Sequence, residues 1–287
     1  MKKQKNESYL SDVLEKLKRH KLAMLGLVIL LLETVLVIVL PYVLHLDPYT
    51  SDYTAFSQAP SPKHILGTDA IGRDTFARLV FGGRTSLLVG LLSTLISCSI
   101  GVPLGLLAGY YRGKAENLIM RVADVFMSFP SIVLILVLVS LIGPSVWSVT
   151  IVIGLLNWTQ FARLIYSSVL SVSEKDYVES ARAIGSSDRK IILSYILPNA
   201  FAPILIAVTF QMAGAILSES SLSFLGMGVQ PPAASWGNML YDAQSITVLS
   251  RRPWLWLPPG IALLVTVLSI NFLGDGIRDA LDPKVKV

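Results

Sequence analysis

Long apolar segments are the feature of this sequence that most limits its possible folds. A helix needs about 20 consecutive apolar residues to cross the roughly 30 Å hydrocarbon core of a bilayer. Of the 287 residues, 53% are hydrophobic and only 15% are charged. Six segments meet the length criterion: 22–43, 86–110, 120–142, 146–167, 196–216 and 254–273. We therefore predict an all-α, polytopic membrane protein with six transmembrane helices.

Two of these segments contain helix-disrupting residues. The third includes Asp124 and Pro130, and the fifth begins with Pro198 and Pro203. Proline removes a backbone hydrogen bond and clashes with the preceding turn. We therefore expect the ends of these two spans to be kinked or partly unwound.

The distribution of basic residues predicts the orientation of the chain. Cytoplasmic loops of membrane proteins carry an excess of Lys and Arg. If the N-terminus is cytoplasmic, only six of the 24 Lys and Arg residues lie outside, namely Lys63, Arg73, Arg78, Arg84, Arg251 and Arg252. Both termini are therefore predicted to be cytoplasmic. The basic residues form no single stripe with interleaved aromatics, so no nucleic-acid partner is expected.

These segments divide the chain into an ordered series of regions. An amphipathic cytoplasmic segment (1–21) precedes the first anchor (22–43), which is too long for a signal-peptide core and lacks a cleavage site. An extracytoplasmic loop (44–85), a core of five spans (86–273) with a cytoplasmic loop at 173–197, and a cytoplasmic tail (274–287) follow. The short turn at 143–145 predicts that the third and fourth spans form an antiparallel hairpin.

The cytoplasmic loop contains a short helix followed by a glycine turn. Residues 175–184 predict a helix, and Gly185 permits a turn that no side chain obstructs. Such a helix can insert into a groove on a partner, although an interfacial amphipathic helix with a glycine cap has the same pattern. The spacing from Glu179 through Gly185 to Leu197 and Pro198 resembles the EAA loop of ABC importer permeases. Ser180 and Tyr195 depart from the family pattern.

Four further stretches extend the resemblance over nearly the whole chain. They are HILGTDAIGRD (64–74), RVADVFMSFP (121–130), SFLGMGVQPPAASWG (223–237) and GDGIRDALDP (274–283). They are similar to signatures of the dipeptide, oligopeptide and nickel permease family, and are nearer to the second of its two paired permeases. The resemblance implies the fold of an ABC type I importer permease in the inner or plasma membrane of a prokaryote, importing short peptides by alternating access.

The same resemblance implies the partners and the site residues. The partners would be a homologous second permease forming a heterodimer, one or two P-loop ATPases that bind ATP and magnesium, an extracytoplasmic binding protein and the lipid bilayer. The residues implied to dock the ATPase are Glu179, Ser180, Ala181, Ala183, Gly185, Leu197 and Pro198. Small Ala181 and Ala183 would permit a close approach.

An outer cap is predicted at Gly67, Thr68, Asp69, Gly72, Arg73 and Asp74. Its charged residues could fix the entrance and contact the binding protein, or could form a structural turn with internal Arg to Asp pairing. The number and spacing of its acidic residues do not fit an EF-hand calcium loop. The cap is therefore left with two interpretations.

Charged residues also mark the cytoplasmic ends of two spans. Arg121 and Asp124 lie three residues apart, so they can share a helix face and pair. Asp275, Arg278 and Asp279 follow the predicted end of the last span at the GDG sequence. They would tie the tail to the cytoplasmic face near the ATPase, or would belong to a solvated tail.

Small and acidic residues inside the spans complete the candidate set. Gly101, Gly105 and Gly109 recur every four residues, which favours close helix packing. Glu33 and Glu219 are costly at membrane depth, so each should face protein or water. We interpret Glu219 as a possible pathway residue and Glu33 as a contact with a partner helix.

Several functions are disfavoured by what the sequence lacks. It has no GxxxxGK[ST] phosphate loop, so we expect a non-enzymatic transport subunit that binds no cofactor. Its single cysteine, Cys98, excludes an internal disulfide, and no metal site is predicted. A nickel or metal-chelate importer of the same family remains an alternative. An ion-coupled secondary transporter is another, but only Glu33 and Glu219 resemble the ionisable cluster that it would need.

Overall fold

The computed structural model describes residues 9–281, and helices dominate them. Within those residues, extended pairing is limited to two isolated bridges, Ser51 with Arg73 and Thr68 with Asp74. The helices are α1 (Tyr9–Arg19), α2 (Lys21–Val43), α3 (Thr75–Tyr111), α4 (Gly113–Met127), α5 (Ser131–Ile142), α6 (Val146–Ser173), α7 (Asp176–Ala183), α8 (Asp188–Ile191), α9 (Leu197–Phe224), α10 (Trp236–Tyr241), α11 (Ile246–Arg251) and α12 (Pro253–Leu281). A π-helical turn, Ile192–Ile196, joins α8 to α9.

Five helical segments are long and apolar enough to cross a bilayer. They are α2, α3, α6, the continuous segment Asp188–Phe224 and α12. A sixth span results if α4 and α5, which meet at an angle of 86°, are counted together. The prediction of an all-α, multi-pass membrane protein is therefore confirmed, with one of the six spans broken.

The break between α4 and α5 corrects the predicted continuous span 120–142. Helix α4 ends at Met127, and α5 begins only after Pro130. Proline disfavours the helical conformation in the residue before it and donates no backbone hydrogen bond. The hydroxyl of Ser128 donates to the carbonyl of Val125 at 2.7 Å, which satisfies one group at the end of α4. The turn is thus sharper than the kink expected from the sequence.

Helix α3 begins earlier than the span predicted at 86–110. Its first residue is Thr75, and the Asp74 side chain accepts a 2.8 Å hydrogen bond from the backbone N–H of Ala77. Such a cap satisfies one of the unpaired donors at a helix N-terminus. The segment 75–85 carries Arg78 and Arg84, which lower its hydropathy and obscure its helical continuity with the span.

Helix α12 corrects the predicted end of the last span. The GDG sequence was expected to end a helix at Gly274, but α12 continues to Leu281. Both glycines are buried at crossings with other helices. A Cβ atom on Gly274 would lie 2.5 Å from Thr209 Oγ1, and one on Gly276 would lie 2.2 Å from Ala23 Cβ. These glycines therefore permit close helix contact, and most of the predicted tail is helical.

The centre of the molecule is the contact between α3 and α6. A Cβ atom on Gly101 would lie 2.4 Å from the carbonyl oxygen of Trp158, and one on Gly105 would lie 2.6 Å from that of Ala162. The hydroxyl of Ser97 donates to the carbonyl of Gly154 across the same contact at 2.9 Å. The small-residue stripe thus brings the two backbones together, as membrane helix pairs require.

Helix α2 packs along α12 of the same chain. A Cβ atom on Gly26 would lie 2.4 Å from the carbonyl oxygen of Ser269. Farther along, the hydroxyl of Thr266 donates a 2.8 Å hydrogen bond to the Glu33 carboxylate. Glu33 therefore contacts a helix of its own chain. This contact lowers the free-energy cost of placing its carboxylate at membrane depth.

Candidate functional site

The segment 173–197 forms a compact helical hairpin at one end of the molecule. Helix α7 lies on the body through Val178 and Ala181, which are buried in a cluster that includes Ile191 and Ile196. Gly185 has φ of +77° and ends the first helix. Since this left-handed conformation is strained for residues with a Cβ atom, glycine is the residue that suits it.

The outer face of this hairpin has exposed docking candidates. Glu179, Ser180, Ala183 and Gly185 are solvent-exposed, and Ile184 is 80% exposed. A Cβ atom on Gly185 would meet no atom of the chain within 4 Å. The hairpin therefore presents a small apolar tip beside an acidic residue, with nothing of its own chain covering it.

The predicted role of Ala181 requires a correction. It is only 3% exposed, because it lies on the face of α7 that packs on the body. Its small size allows α7 to approach the rest of this chain, not a partner. Leu197 is likewise half-buried against the same cluster, whereas Pro198 is exposed at the start of α9. The predicted docking set thus divides into an outward group and a packing group.

Polar contacts tie the hairpin to the end of α3. The hydroxyl of Tyr110 donates to Asp188 Oδ1 at 2.7 Å, and the Arg182 guanidinium lies 5.6 Å from the centre of the Tyr110 ring. Arg112 forms a 3.2 Å ion pair with Glu174. Sequence reasoning missed these contacts, since their partners are more than sixty positions apart. The hairpin thus contacts α3 as well as α6 and α9.

The predicted pairing within α4 is replaced by a pairing between helices. Asp124 forms its ion pair with Arg163 of α6 instead of with Arg121. Nearby, the Tyr166 hydroxyl donates to Glu116. Because α4 crosses α6 here, the Asp124 carboxylate reaches a guanidinium on the neighbouring helix. These contacts hold the first half of the broken span against α6.

A groove with polar walls lies between α5, α6 and α9. Its volume is about 370 Å³. Its polar and small lining residues are Ser131, Asn157, Gln160, Gln211, Gly214 and Ser218. Amide and hydroxyl side chains at membrane depth require water or protein partners. This groove is therefore a better candidate for a transport pathway than any position singled out in the sequence.

Glu219, which the sequence suggested as a possible pathway residue, does not line this groove. It is completely buried and accepts hydrogen bonds from Ser86 at 3.0 Å and from Ser223 at 2.7 Å. Ser86 also accepts the backbone N–H of Trp236 at 3.2 Å. Because α9 extends to Phe224, Glu219 faces α3 and α10 from inside the helix. It is a buried polar link between three elements.

The predicted outer cap is organised around the Asp69 carboxylate. Its Oδ1 accepts the backbone N–H groups of Ile71 and Arg73 at 3.0 and 2.9 Å, and its Oδ2 accepts Arg73 Nε at 2.7 Å. Gly67 and Gly72 have φ of +69° and +85°, and Thr68 is fully buried. Internal Arg to Asp pairing therefore exists in the cap, while contact with a binding protein stays a prediction.

Further charged contacts brace the cap. The Asp74 carboxylate accepts a hydrogen bond from the backbone N–H of Ala77 at the start of α3, and it also lies 2.8 Å from His64 Nδ1. Lys63 Nζ lies 2.5 Å from Asp52 Oδ2. This hydrogen bond, together with those from Thr54, lowers the pKa of Asp52 below its ordinary value of 3.8. Desolvation and the nearby Asp69 carboxylate raise the pKa of Asp242.

The acidic residues of the last helix lie near the α1–α2 junction. Asp275, Arg278 and Asp279 are all on the exposed face of α12, and Asp279 Oδ2 lies 3.4 Å from His20 Nε2. They therefore belong to a helix surface, not to a loose tail. Within residues 9–281, no group of three or more His, Cys, Asp or Glu side chains is placed to hold a metal ion.

Two protein families match this chain. Residues 101–287 match the family described as binding-protein-dependent transport system inner membrane component. Residues 8–60 match the N-terminal TM domain of oligopeptide transport permease C. The two matches share no residues and together include the first span, the broken span and the α7–α8 hairpin.

Similar proteins extend over almost the whole chain. A putative peptide permease protein of Brucella suis is 43% identical over 94% of this chain and 89% of its own. The dipeptide transport system permease protein DppC of Alkalihalophilus pseudofirmus is 39% identical over 96% and 90%. The glutathione transport system permease protein GsiD of Pectobacterium atrosepticum is 39% identical over 94% and 89%.

A solved structure has the same fold. It is a chain of the MetNI methionine ABC transporter in an inward-facing conformation. Its TM-score is 0.61 at 20% identity, covering 71% of this chain and 97% of the solved one. At that identity the likeness concerns the fold alone, and it agrees with the importer-permease fold implied by the sequence motifs.

Proposed function

This chain belongs to the family of binding-protein-dependent transport system inner membrane components, and we propose that it is a permease subunit of an ATP-driven importer of short peptides. The observation that carries the proposal is the identity of 39–43% with relatives named as peptide, dipeptide and glutathione permeases. Each of these similarities covers at least 94% of this chain. The match of residues 8–60 to an oligopeptide permease domain supports the same substrate class.

The α7–α8 hairpin is the proposed docking site for an ATPase in the cytoplasm. Its exposed tip at Ile184 and Gly185 can enter a groove on a partner, while Val178 and Ala181 fasten its inner face to the body. Because the hairpin is packed against α6 and α9 and bonded to α3, a displacement of the tip moves these spans together. Hydrolysis on a separate chain would thereby change the shape of the permease.

The polar groove between α5, α6 and α9 is the proposed wall of the transport pathway. Gln160 and Gly214 are exposed on the surface of this single chain, at a depth where lipid could not satisfy the Gln160 amide. A homologous second permease would cover this face and complete the pathway. Alternating access would open the pathway first toward the binding protein and then toward the cytoplasm.

The two alternatives have weaker support. An ion-coupled secondary transporter needs ionisable groups facing its pathway, but Glu219 is enclosed by serines and Glu33 is bonded to Thr266. The polar groups of the groove are amides and hydroxyls beside apolar side chains such as Phe161 and Phe210, without a cluster of nickel ligands among its described residues. Peptide is therefore the proposed substrate, and a metal chelate is the competing outcome of the test below.

Affinity purification in mild detergent tests the assembly. We expect the tagged chain to recover a second six-span permease and one or two P-loop ATPases, with ATPase activity in the eluate. The Glu179→Ala variant should lose the ATPases because it changes the exposed docking face. Asp47→Ala is a matched control, since this acidic residue is exposed in the loop after α2, away from the hairpin. Recovery of the chain alone from intact membranes would contradict the importer assignment.

Reconstitution into vesicles tests the substrate. The assembled importer, its binding protein and ATP should concentrate a labelled dipeptide inside the vesicles, and unlabelled dipeptide should compete. A nickel chelate should neither enter nor compete. Uptake of the chelate without uptake of peptide would replace the proposed substrate while leaving the importer assignment in place. Uptake that requires an ion gradient but no ATP would contradict both.

A further inference from the structure

A second cavity lies at the opposite end of the molecule from the α7–α8 hairpin. Its volume is about 280 Å³, and it is separate from the polar groove. Four parts of the chain enclose it: the cap, the start of α3, the connection from α9 through α10, and the start of α12. Its lining includes Asp69, Arg73, Thr75, Arg78, Asp242 and Leu255.

Two buried polar atoms in this wall have no hydrogen-bond partner. Arg78 is 5% exposed and its Nη1 is unpaired, and Thr75 is 2% exposed with an unpaired Oγ1. Leaving buried donors unsatisfied costs free energy, and the cost is larger for a charged group. Both residues also line the cavity, so an anionic ligand there would lie against the Arg78 guanidinium and the Thr75 side chain. A carboxylate has two oxygens and the charge that a guanidinium prefers.

The cavity wall contains two guanidinium groups and two carboxylates. Asp69 is already engaged by Arg73, and Arg78 Nε lies 3.6 Å from the same carboxylate. Two guanidinium groups therefore share one carboxylate, which leaves one positive charge over. Asp242 supplies the balancing negative charge but forms no ion pair within 4.0 Å among the described residues. The cavity wall thus contains a carboxylate without an ion pair within 4.0 Å, that of Asp242, and a guanidinium that shares its carboxylate with Arg73.

We propose that this cavity binds a small zwitterion, namely a free α-amino acid or a dipeptide. The carboxylate of the ligand would lie against Arg78 and Thr75, and its ammonium group against Asp242. Leu255 and Met239 provide an apolar wall for a short side chain. The volume lies just below the range of roughly 300–1,000 Å³ that is usual for drug-sized ligands, which suits a molecule of this size.

The inference rests on the proposed function only for the choice of a peptide as ligand. The cavity, its unpaired atoms and its charges do not depend on that choice. In an importer, a site at this end would hold the charged termini of a peptide near the cap. It would thus recognise the backbone of the substrate and make few contacts with its side chains.

Direct binding to the purified full-length chain in lipid nanodiscs tests the proposal. The binding protein is omitted, because it would bind the probe itself. The probes are labelled Gly-Gly, its N-acetyl derivative and its C-terminal amide. Because a hydrogen bond to a charged group contributes about 1.5–3 kcal/mol, removing either charged end should weaken binding by about tenfold or more. Both modified probes should therefore bind more weakly than Gly-Gly.

Two variants test which residue binds each charged end of the ligand. Asp242→Asn should weaken binding of Gly-Gly by about tenfold and should not weaken binding of the N-acetyl probe further. Arg78→Lys keeps the charge but loses the planar fork, so it should weaken Gly-Gly and leave the amide unaffected. Asp47→Asn is the matched control, because Asp47 is an exposed carboxylate outside the cavity.

Several outcomes would overturn the inference. No binding of Gly-Gly to the wild-type chain would mean that the cavity holds water only. Equal binding by wild type, Asp242→Asn and Arg78→Lys would place the probe elsewhere, for example in the polar groove. If either result occurred while the assembled importer still moved peptide, the proposed function would stand and only this site would fall. If binding followed the predicted pattern but no ATPase co-purified, the importer assignment would fall instead.

Discussion

At the scale of single residues, the glycines with positive φ serve different purposes. Gly67 and Gly72 lie in the cap, where a Cβ atom would come within 2.4 Å of a backbone oxygen. Gly185 and Gly143 have equally unusual backbones, but a Cβ atom on either would meet nothing within 4 Å. At these two positions the backbone conformation, not the surrounding space, selects glycine. The open space around Gly185 leaves room for a partner.

Replacing Gly185 therefore separates docking from folding. Gly185→Val should cost about 1–2 kcal/mol of backbone strain and should leave membrane insertion intact. A bulky side chain on the exposed tip should nevertheless abolish uptake, because it obstructs the proposed ATPase contact. The measurement is peptide uptake, normalised to the amount of chain in the membrane. Gly143→Val is the matched control, and normal uptake by Gly185→Val would remove the docking turn from the proposed mechanism.

Glu219 is expected to act through stability. Glu219→Ala removes the acceptor of the Ser86 and Ser223 hydroxyls and opens a cavity, which together should cost about 2–5 kcal/mol. Glu219→Gln keeps the shape and one acceptor oxygen, so its loss should be smaller. The thermal midpoint of the detergent-purified chain measures both, with Ser221→Ala on the exposed face of α9 as control. Lost uptake at unchanged stability would instead support a pathway role.

At the scale of elements, the contact between α3 and α6 depends on the absence of side chains. Gly101, Gly105 and Gly109 all face α6 so closely that a Cβ atom would lie within 2.7 Å of one of its atoms. Dispersion contacts between closely packed helices are a main source of stability where water is absent. The stripe therefore determines the separation of α3 and α6.

Adding one methyl group to this contact tests that dependence. Gly105→Ala would place its Cβ 2.6 Å from the carbonyl oxygen of Ala162, and overpacking of this kind costs about 1–3 kcal/mol. We expect a lower thermal midpoint and a lower yield of folded chain. Gly214→Ala is the control, because a Cβ atom there meets nothing within 4 Å. The control should gain up to about 1 kcal/mol from helix propensity, and an equal loss in both variants would contradict the packing argument.

At the scale of the whole molecule, the cap and the α7–α8 hairpin lie at opposite ends of the spans. The excess of basic residues at the hairpin end predicts that this end is cytoplasmic. The proposed docking of an ATPase requires the same orientation. A single topology experiment therefore bears on both.

Labelling with a membrane-impermeant maleimide measures this orientation. In a Cys98→Ser background the chain has no native thiol, since Cys98 is its only cysteine. Ala59→Cys in the loop that precedes the cap should be labelled in intact cells, whereas Ser187→Cys in the hairpin should be labelled only after permeabilisation. Both positions are exposed. The reverse pattern would place both termini outside and would exclude ATPase docking at the hairpin.

The sequence by itself determined the features that depend on local physical chemistry. The number and rough position of the spans follow from apolar length, which the bilayer requires whatever the neighbours are. The break near Pro130, the α7 helix and the turn at Gly185 follow from the backbone preferences of single residues. The docking role of Glu179 and the cap's contact with a binding protein stay predictions, because they concern chains outside this structure.

Only the tertiary structure decided the features that depend on what each residue meets across the fold. Gly276 was expected beyond a helix end because glycine usually marks one, but its contact with Ala23 keeps it inside α12. Ala181 packs inward, and Asp124 reaches Arg163 on another helix. Glu219 meets Ser86 from a position 133 residues away. No local pattern encodes such distant partners, because they are set by how the helices pack.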